Sequence, residues 1–249
     1  CADAIVPSKA TLPPDAASST GTKRCTMPPA AISSGPRSAV APPVRRMVIL
    51  SRVEDWVLKS GKSHALSCCE YPGVIHPDGR SFLRAFTSAP HPRWAYQGDN
   101  WTVEKSLRLL DGENTVVLTY TLLAGDAPIE LEVKPLFALR GIHELMYQWQ
   151  GRLDAQKKDT DGSQLRIPPT ARTPEAFFAH DGQFTAQPNW YLSTIYRREN
   201  ERGYSALEDV WMPGPVRWKL TRGRSVHFVC STEPIDLPRA ITRSKPSRP

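Results

Sequence analysis

Alternating apolar and polar residues predict a chain built mainly from β-strands. The clearest case is residues 129–134, which run Ile-Glu-Leu-Glu-Val-Lys and place all apolar side chains on one face. Such strict alternation is typical of a strand with one dry and one wet face. Residues 101–109 and 116–122 follow the same period and are separated by Gly-containing turns. Together the three segments predict an antiparallel meander.

Shorter apolar runs predict further strands before and after the meander. Three pairs of runs flank short turns and predict hairpins, and residues 82–86 predict a single strand. The pairs are 47–58 with 64–68, 177–180 with 183–185, and 216–220 with 226–230. Many short strands joined by turns indicate an all-β antiparallel sandwich.

The two ends of the chain lack this patterning. Residues 1–45 are rich in Pro, Ala, Ser and Thr, and their apolar residues are isolated. Folding them would bury too little apolar surface to offset the loss of chain entropy. We therefore expect a disordered or poorly ordered segment at 1–45, a β-domain at 46–234, and a loose basic tail at 235–249.

Residues 189–215 combine aromatic rings with an unusually dense set of charges. Neither strand alternation nor a helical stripe organises them, and Gly203 interrupts any helix, so we expect an irregular binding or docking loop. Aromatic faces stack on sugar rings, while carboxylates and guanidinium groups hydrogen-bond to hydroxyls. The candidate binding residues are Trp190, Tyr191, Tyr196, Arg202, Glu208, Asp209 and Trp211. Alternatively, the rings fill a local core and the charges pair among themselves.

The net charge of +7 comes from the chain ends. Residues 1–46 hold six Lys and Arg against two Asp, and residues 235–249 hold four against one. Residues 47–234 are therefore neutral. Basic tails attract polyanions weakly, but a neutral body predicts no specific nucleic-acid partner.

Other features exclude several classes of protein. No apolar run approaches the ~20 residues of a membrane span, and no signal-peptide pattern is present. The five cysteines are odd in number and lack Cys-x-x-Cys spacing, so we expect reduced thiols, no structural zinc and a cytoplasmic location. We expect no metal or cofactor. Because the chain begins at Cys1 rather than Met, we also expect a fragment or a processed product.

Independent glycosidase activity would need two carboxyl groups across a sugar cleft. Glu201 with Glu208 or Asp209 is the candidate pair. Nearby arginines, including Arg202, favour ionised carboxylates over a protonated acid. We therefore assign no catalytic residue.

Two groups of turn and loop motifs occur in order along the chain. The first comprises Tyr71-Pro72-Gly73-Val74-Ile75-His76-Pro77-Asp78-Gly79, Phe82-Leu83 and Gly112-Glu113-Asn114-Thr115. The second comprises Asn189-Trp190-Tyr191, Tyr196, Glu201-Arg202-Gly203, Glu208-Asp209 and Pro213-Gly214. Together, over roughly residues 42–234, they resemble the N-terminal domain of bacterial and archaeal glycogen debranching enzymes, the amylo-α-1,6-glucosidases.

The resemblance implies a galactose-mutarotase-like β-supersandwich with long irregular loops, placed ahead of an (α/α)6 barrel that carries the catalytic carboxylates. Residues 1–41 do not match the opening of that family, and the chain ends where the barrel would begin, so no catalytic residue is carried over. The implied role is to support the barrel and to shape binding of an α-glucan, such as glycogen or a limit dextrin. A free-standing carbohydrate-binding domain is the alternative.

The resemblance also gives the candidate residues two possible partners, a glucan or the face of the barrel. Docking is favoured, because many arginines and carboxylates suit the polar rim of a protein interface.

Overall fold

The alternating residues form the facing surfaces of two antiparallel sheets. The computed structural model describes residues 46–245 except 126, 151–152 and 160–161. Numbered in chain order, the strands of the first sheet are β1 (Met47–Lys59), β2 (Lys62–Ala65), β9 (Ile129–Gly141), β13 (Gln183–Phe184), β14 (Asn189–Ile195), β15 (Leu207–Met212) and β16 (Val216–Leu220). The all-β sandwich predicted from the sequence is confirmed.

The second sheet contains eight strands, and a small hairpin stands apart from both sheets. The eight strands are β5 (Leu83–Thr87), β6 (Arg93–Gly98), β7 (Trp101–Leu109), β8 (Thr115–Gly125), β10 (Gln156–Lys157), β11 (Gln164–Ile167), β12 (Ala176–His180) and β17 (Ser225–Ser231). The hairpin is β3 (Cys68–Tyr71) with β4 (Val74–Asp78). The helices are a 3-10 turn (Gln148–Gln150), α1 (Arg197–Glu201) and α2 (Leu237–Ser244).

The strand order separates segments that are consecutive in the sequence. The first sheet has the order β13-β16-β9-β1-β2, with β14 and β15 joined to β9 through one pairing of Trp211 with Phe137. The second has the order β10-β11-β12-β17-β8-β7-β6-β5. The chain therefore crosses between the sheets several times.

Some of the predicted pairings are confirmed and others are wrong. β1 pairs with β2 and β7 with β8, as expected. The third strand of the predicted meander, β9, instead joins the other sheet beside β1. Likewise β12 and β13, and β16 and β17, are not hairpins, because the members of each pair lie in different sheets.

The turn at Asp181 and Gly182 shows why the predicted hairpins fail. The Asp181 carboxylate accepts hydrogen bonds from Trp218 Nε1 at 2.7 Å and from the His227 backbone N–H at 2.9 Å. Those residues belong to β16 and β17, one in each sheet. A Cβ on Gly182 would lie 2.5 Å from the Trp218 ring, so only glycine fits. The turn thus carries the chain across the sandwich.

The outer face of β9 is drier than the alternation predicts. Ile129, Leu131 and Val133 are buried in the main core, as expected. Glu132, on the opposite face, is also buried, with 6% of its surface exposed. Its carboxylate binds the guanidinium of Arg217 on β16. Other chain segments therefore cover part of the face that was predicted to be wet.

The C-terminal segment predicted to be loose contains α2. The Asp236 carboxylate caps this helix by accepting the Arg239 backbone N–H at 3.0 Å. Ala240 is buried in a small cluster against the second sheet, and the Arg243 guanidinium pairs with Glu113. The sequence did not predict α2 because the helix spans only eight residues, with an apolar stripe of Leu237, Ala240 and Ile241. The segment predicted to be disordered, 1–45, lies outside the described residues.

A buried ion pair links the two sheets inside the core. Asp55 on β1 and Lys105 on β7 are both fully buried, and Lys105 Nζ donates to Asp55 Oδ2. The Tyr120 hydroxyl donates to the same oxygen at 2.9 Å. Lys105 Nζ also lies 5.8 Å from the Trp94 ring centroid and 5.6 Å from that of Tyr120. Aromatic faces thus compensate part of the cost of burying the cation.

Removing the cation should expose how strongly the sandwich depends on this pair. Lys105→Met leaves the Asp55 carboxylate buried without its ion-pair partner and should lower the free energy of unfolding by about 3–5 kcal/mol. The exposed control Lys62→Met should change it by less than about 0.5 kcal/mol. Urea denaturation of both variants measures the difference. Equal, small losses would show that the pair does not join the sheets as described.

Candidate functional site

The segment predicted to be an irregular loop is an arm, residues 189–212, made of two paired strands and a short helix. β14 and β15 pair antiparallel, with Asn189 opposite Met212, and α1 connects them. The register shifts after Tyr191, and Ser193 in this bulge has a φ of 58°. The prediction of irregular structure is therefore wrong, because the bulge breaks the period-two pattern from which a strand is recognised.

The Glu208 carboxylate fixes the arm to the sandwich. Glu208 lies on β15 with none of its surface exposed. It accepts hydrogen bonds from both Nε and Nη2 of Arg140 on β9, from the Tyr196 hydroxyl, and from the Met146 backbone N–H at 3.0 Å. One side chain thus joins β15 to β9, to the segment that follows β9, and to Tyr196 between β14 and α1.

Arg140 and Tyr196, which donate hydrogen bonds to Glu208, both have raised pKa values and stay protonated. Burial acts to lower the pKa of Arg140, but the adjacent Glu208 carboxylate outweighs it and the pKa is raised. Burial and the same carboxylate raise the pKa of Tyr196 to about 12. At neutral pH the guanidinium is therefore cationic and the phenol is protonated, so both donate to Glu208.

Asp209, the next residue of β15, binds β15 to two further backbone segments. Its carboxylate accepts the Gln148 backbone N–H at 2.9 Å and the Ser193 backbone N–H at 2.8 Å. Its own backbone N–H donates to the Met146 carbonyl at 2.8 Å. Glu208 and Asp209, which are neighbours in β15, thus both bind the segment around Met146. This segment is therefore held along the strand.

Glu54 is a further buried carboxyl group, on the outer face of β1. Burial raises its pKa to about 7, although Arg52 and Lys134 act in the opposite direction. A pKa near 7 suits a general acid, but only 4% of the Glu54 surface is exposed, which leaves little of it open to a substrate. Alternation along β1 places Arg52 on the same face as Glu54, which is the sequence pattern that could have revealed the pair.

Arg52 is buried with donors that remain unused. Only 9% of its surface is exposed, and within the described part of the chain its Nε and Nη2 have no hydrogen-bond partner. Cys69, Tyr71 and Tyr196 are among the groups whose electrostatic influence raises the pKa of this guanidinium, against the effect of burial. The outer face of the first sheet is therefore lined with buried polar side chains.

The charges of α1 pair with nearby carboxylates. Arg198 binds Glu201 at 2.7 Å, and Arg202 binds Glu199 at 3.2 Å. A third pair joins Arg197 to Glu70 on β3 and so connects the arm to the small hairpin. Exposed pairs of this kind contribute little to stability. They satisfy local charges and leave no free carboxylate on the helix.

The candidate catalytic carboxylates are not arranged as a pair across a cleft. Glu201 is exposed and bound by Arg198, whereas Glu208 is completely buried. Nor do the described residues contain any group of three or more His, Cys, Asp or Glu side chains able to hold a metal ion. The same part of the chain has no helix long and apolar enough to cross a membrane.

The family model described as "Glycogen debranching enzyme N terminal" matches residues 37–227. The chain belongs to this family. The match includes every strand of both sheets except the last residues of β17, and it includes the whole arm. The resemblance inferred from the turn and arm motifs is confirmed.

Two solved structures are similar to the chain over part of their length. A bacterial glucoamylase complexed with acarbose is 5% identical with a TM-score of 0.44, and the match covers 80% of this chain and 29% of that one. A polysaccharide lyase is 15% identical with a TM-score of 0.33, covering 72% of this chain and 25% of the lyase. The chain thus spans less than a third of either protein. A search of curated proteins finds no match.

Within this family domain, the aromatic candidates contribute mainly to the interior. Trp211 is 2% exposed and packs on Phe137, with 6.3 Å between ring centroids. Trp190 lies opposite Trp211 in the register and packs against the same core, half-buried. Because Trp211 is buried, a sugar cannot stack on the faces of its ring.

The polar candidates divide between anchors and surface. Tyr196 and Glu208 are buried anchors, Tyr191 and Asp209 are half-buried, and Arg202 has 62% of its side chain exposed. All the candidates therefore lie in the arm, but they do not share one exposed surface. The sequence missed the contribution of Arg140, since this residue lies 68 positions before Glu208.

Neutralising Glu208 should destabilise the domain strongly. Glu208→Gln preserves the shape of the side chain but leaves the Arg140 guanidinium without its buried counter-ion, and should cost about 3–5 kcal/mol of unfolding free energy. Glu201→Gln is the matched control, because it removes only an exposed pair and should cost less than about 1 kcal/mol. Denaturant titration compares the two. A Glu208→Gln variant as stable as the control would contradict the anchoring role.

Proposed function

We propose that this chain is the non-catalytic β-domain of a glycogen-debranching glucosidase and that it supports an (α/α)6 catalytic barrel. The observation that carries the proposal is the complete burial of Glu208, whose two oxygens are occupied by Arg140, Tyr196 and the Met146 N–H. Membership of the family supplies the context of α-glucan breakdown.

Hydrolysis by this chain alone lacks a suitable pair of acids. A glycosidase holds two carboxyl groups roughly 5–10 Å apart on either side of the sugar, and one of them must deliver a proton. Glu54 has a pKa suited to proton transfer but little of it is open to a substrate. Glu208 is inaccessible, and Glu201 is tied to Arg198 on the surface. This arrangement supports a structural role for the acids of the arm.

The surface of the arm suits a protein partner. Its exposed apolar side chains are Leu192, Tyr204 and Leu207, which are 49%, 65% and 42% exposed. The charged side chains of Arg198 on α1 and of Arg202, which follows α1, lie in the same arm and are also exposed. Exposed apolar side chains close in sequence to charged ones are compatible with the apolar core and polar rim of a protein interface. We assign this surface to the barrel, with glycogen or a limit dextrin as the substrate of the assembled enzyme.

Association with a barrel tests the proposal. The chain should bind a separately expressed (α/α)6 barrel from a glycogen-debranching relative, as followed by calorimetry and size-exclusion chromatography. Leu207→Ser removes an exposed apolar contact from the arm and should weaken binding by about tenfold. Phe86→Ser is the control, because Phe86 is 55% exposed but lies on β5 in the other sheet.

The chain alone should release no glucose from a branched limit dextrin. Circular dichroism should show that both variants remain folded. Equal effects of Leu207→Ser and Phe86→Ser on the affinity for the barrel would show that the arm is not part of the interface. Glucose release by the wild type that is lost in the Glu208→Gln variant would overturn the non-catalytic assignment.

A further inference from the structure

Two aromatic rings are stacked on each other at the surface, outside all the residues singled out from the sequence. The rings of Tyr147 and Trp149 have centroids 6.0 Å apart and planes only 10° from parallel. Trp149 is 80% exposed, more than any other large hydrophobic side chain in the described part of the chain. So large an exposed aromatic surface is unusual and indicates a binding site.

The two rings project from a segment that is firmly held. On one side of Tyr147, the Met146 N–H donates to the buried Glu208 carboxylate at 3.0 Å. On the other side, the Gln148 N–H donates to Asp209 at 2.9 Å. Both neighbours of Tyr147 are therefore fixed to β15. A surface that is already ordered loses little conformational entropy when a ligand binds.

The chemistry around the rings suits a neutral ligand that has both apolar faces and hydroxyl groups. Residues 145–149 carry no formal charge, and the adjacent charged groups Glu144 and Asp209 are carboxylates, so a polyanion is not favoured there. The amide of Gln148, which is exposed, both donates and accepts hydrogen bonds. The Asp209 carboxylate accepts two backbone N–H groups and keeps lone pairs for further donors. A pyranose ring offers a flat C–H face to an aromatic ring and hydroxyls at its edge.

We propose that Tyr147 and Trp149 form a platform that binds a linear α-glucan chain, with pyranose rings stacked on the aromatic faces and hydroxyls bonded to Gln148. The choice of an α-glucan rests on the proposed function, through the family to which the chain belongs. The platform consists of different residues from the surface of the arm that we assign to the barrel, and its segment is hydrogen-bonded to β15 of the arm.

The parallel arrangement favours a sugar over a second protein surface. Aromatic anchors of protein interfaces typically fill individual pockets of the partner, within a rim that excludes water. Tyr147 and Trp149 instead form a stack with planes 10° from parallel, and most of the Trp149 ring is exposed, which suits contact with a flat sugar ring. Their amphipathic character also suits a site that stays partly wet.

Titration with maltoheptaose tests the platform directly. The full chain should bind maltoheptaose in isothermal calorimetry, and Trp149→Ala should weaken binding by about tenfold to a hundredfold, as expected for loss of a large apolar contact. Trp149→Phe keeps a flat ring and should retain most of the affinity. Phe86→Ala, which removes an exposed ring from β5, is the matched control and should bind like the wild type.

Each alternative outcome is distinct. No binding by the wild type at about 10 mM maltoheptaose, a concentration that would reveal even a millimolar site, would overturn the platform. So would equal affinities of the wild type and Trp149→Ala. If Trp149→Ala weakens association with the barrel and leaves maltoheptaose binding unchanged, the rings belong to the docking surface and the glucan assignment is wrong. Failure of the platform leaves the Leu207→Ser result on barrel association unaffected, so the two proposals fail independently.

Discussion

The ionic hydrogen bonds of the buried Glu208 carboxylate determine how the outer part of this domain is built. Arg140 on β9, Tyr196 ahead of α1 and the Met146 N–H all converge on it. A buried charge is tolerated only when it is paired and hydrogen-bonded. The position of the arm, and of the segment that carries Tyr147, is therefore tied to one side chain in the first sheet.

The same principle applies inside the sandwich and on its outer face. Asp55 and Lys105 bring charge into the core and connect the two sheets through a bond that Tyr120 reinforces. On the outer face, Glu132 and Arg217 form an ion pair between β9 and β16, two neighbouring strands of the first sheet. In a domain whose body is neutral overall, these internal pairs orient the strands, while the exposed pairs of α1 satisfy only local groups.

Period-two alternation predicted much of the fold because a strand reveals its buried face locally. It identified β9 and the hairpin of β1 with β2, which the structure confirms. It did not tell which sheet a strand would join, since the pattern of β16 is the same in either sheet. The partner of Asp181, which decides the crossing there, is Trp218, 37 residues away.

The candidate site was only partly visible in the sequence, for a similar reason. The density of charges and rings in residues 189–212 drew attention to Glu208 and Tyr196. Their burial depends on Arg140, and no local pattern indicates a pairing over 68 positions. Trp149 was missed because its neighbours show no periodicity, and only the stacking on Tyr147 gives it meaning.

Amide hydrogen exchange at residues 142–149 and 207–212 tests the central claim most directly, because it measures whether Glu208 and Asp209 hold these segments together in the native chain. The account predicts slow exchange of the Met146, Gln148 and Asp209 amides, since each N–H is hydrogen-bonded to the partner segment. Exchange of these amides as fast as in an unstructured loop, while the amides of β7 and β8 remain protected, would contradict it.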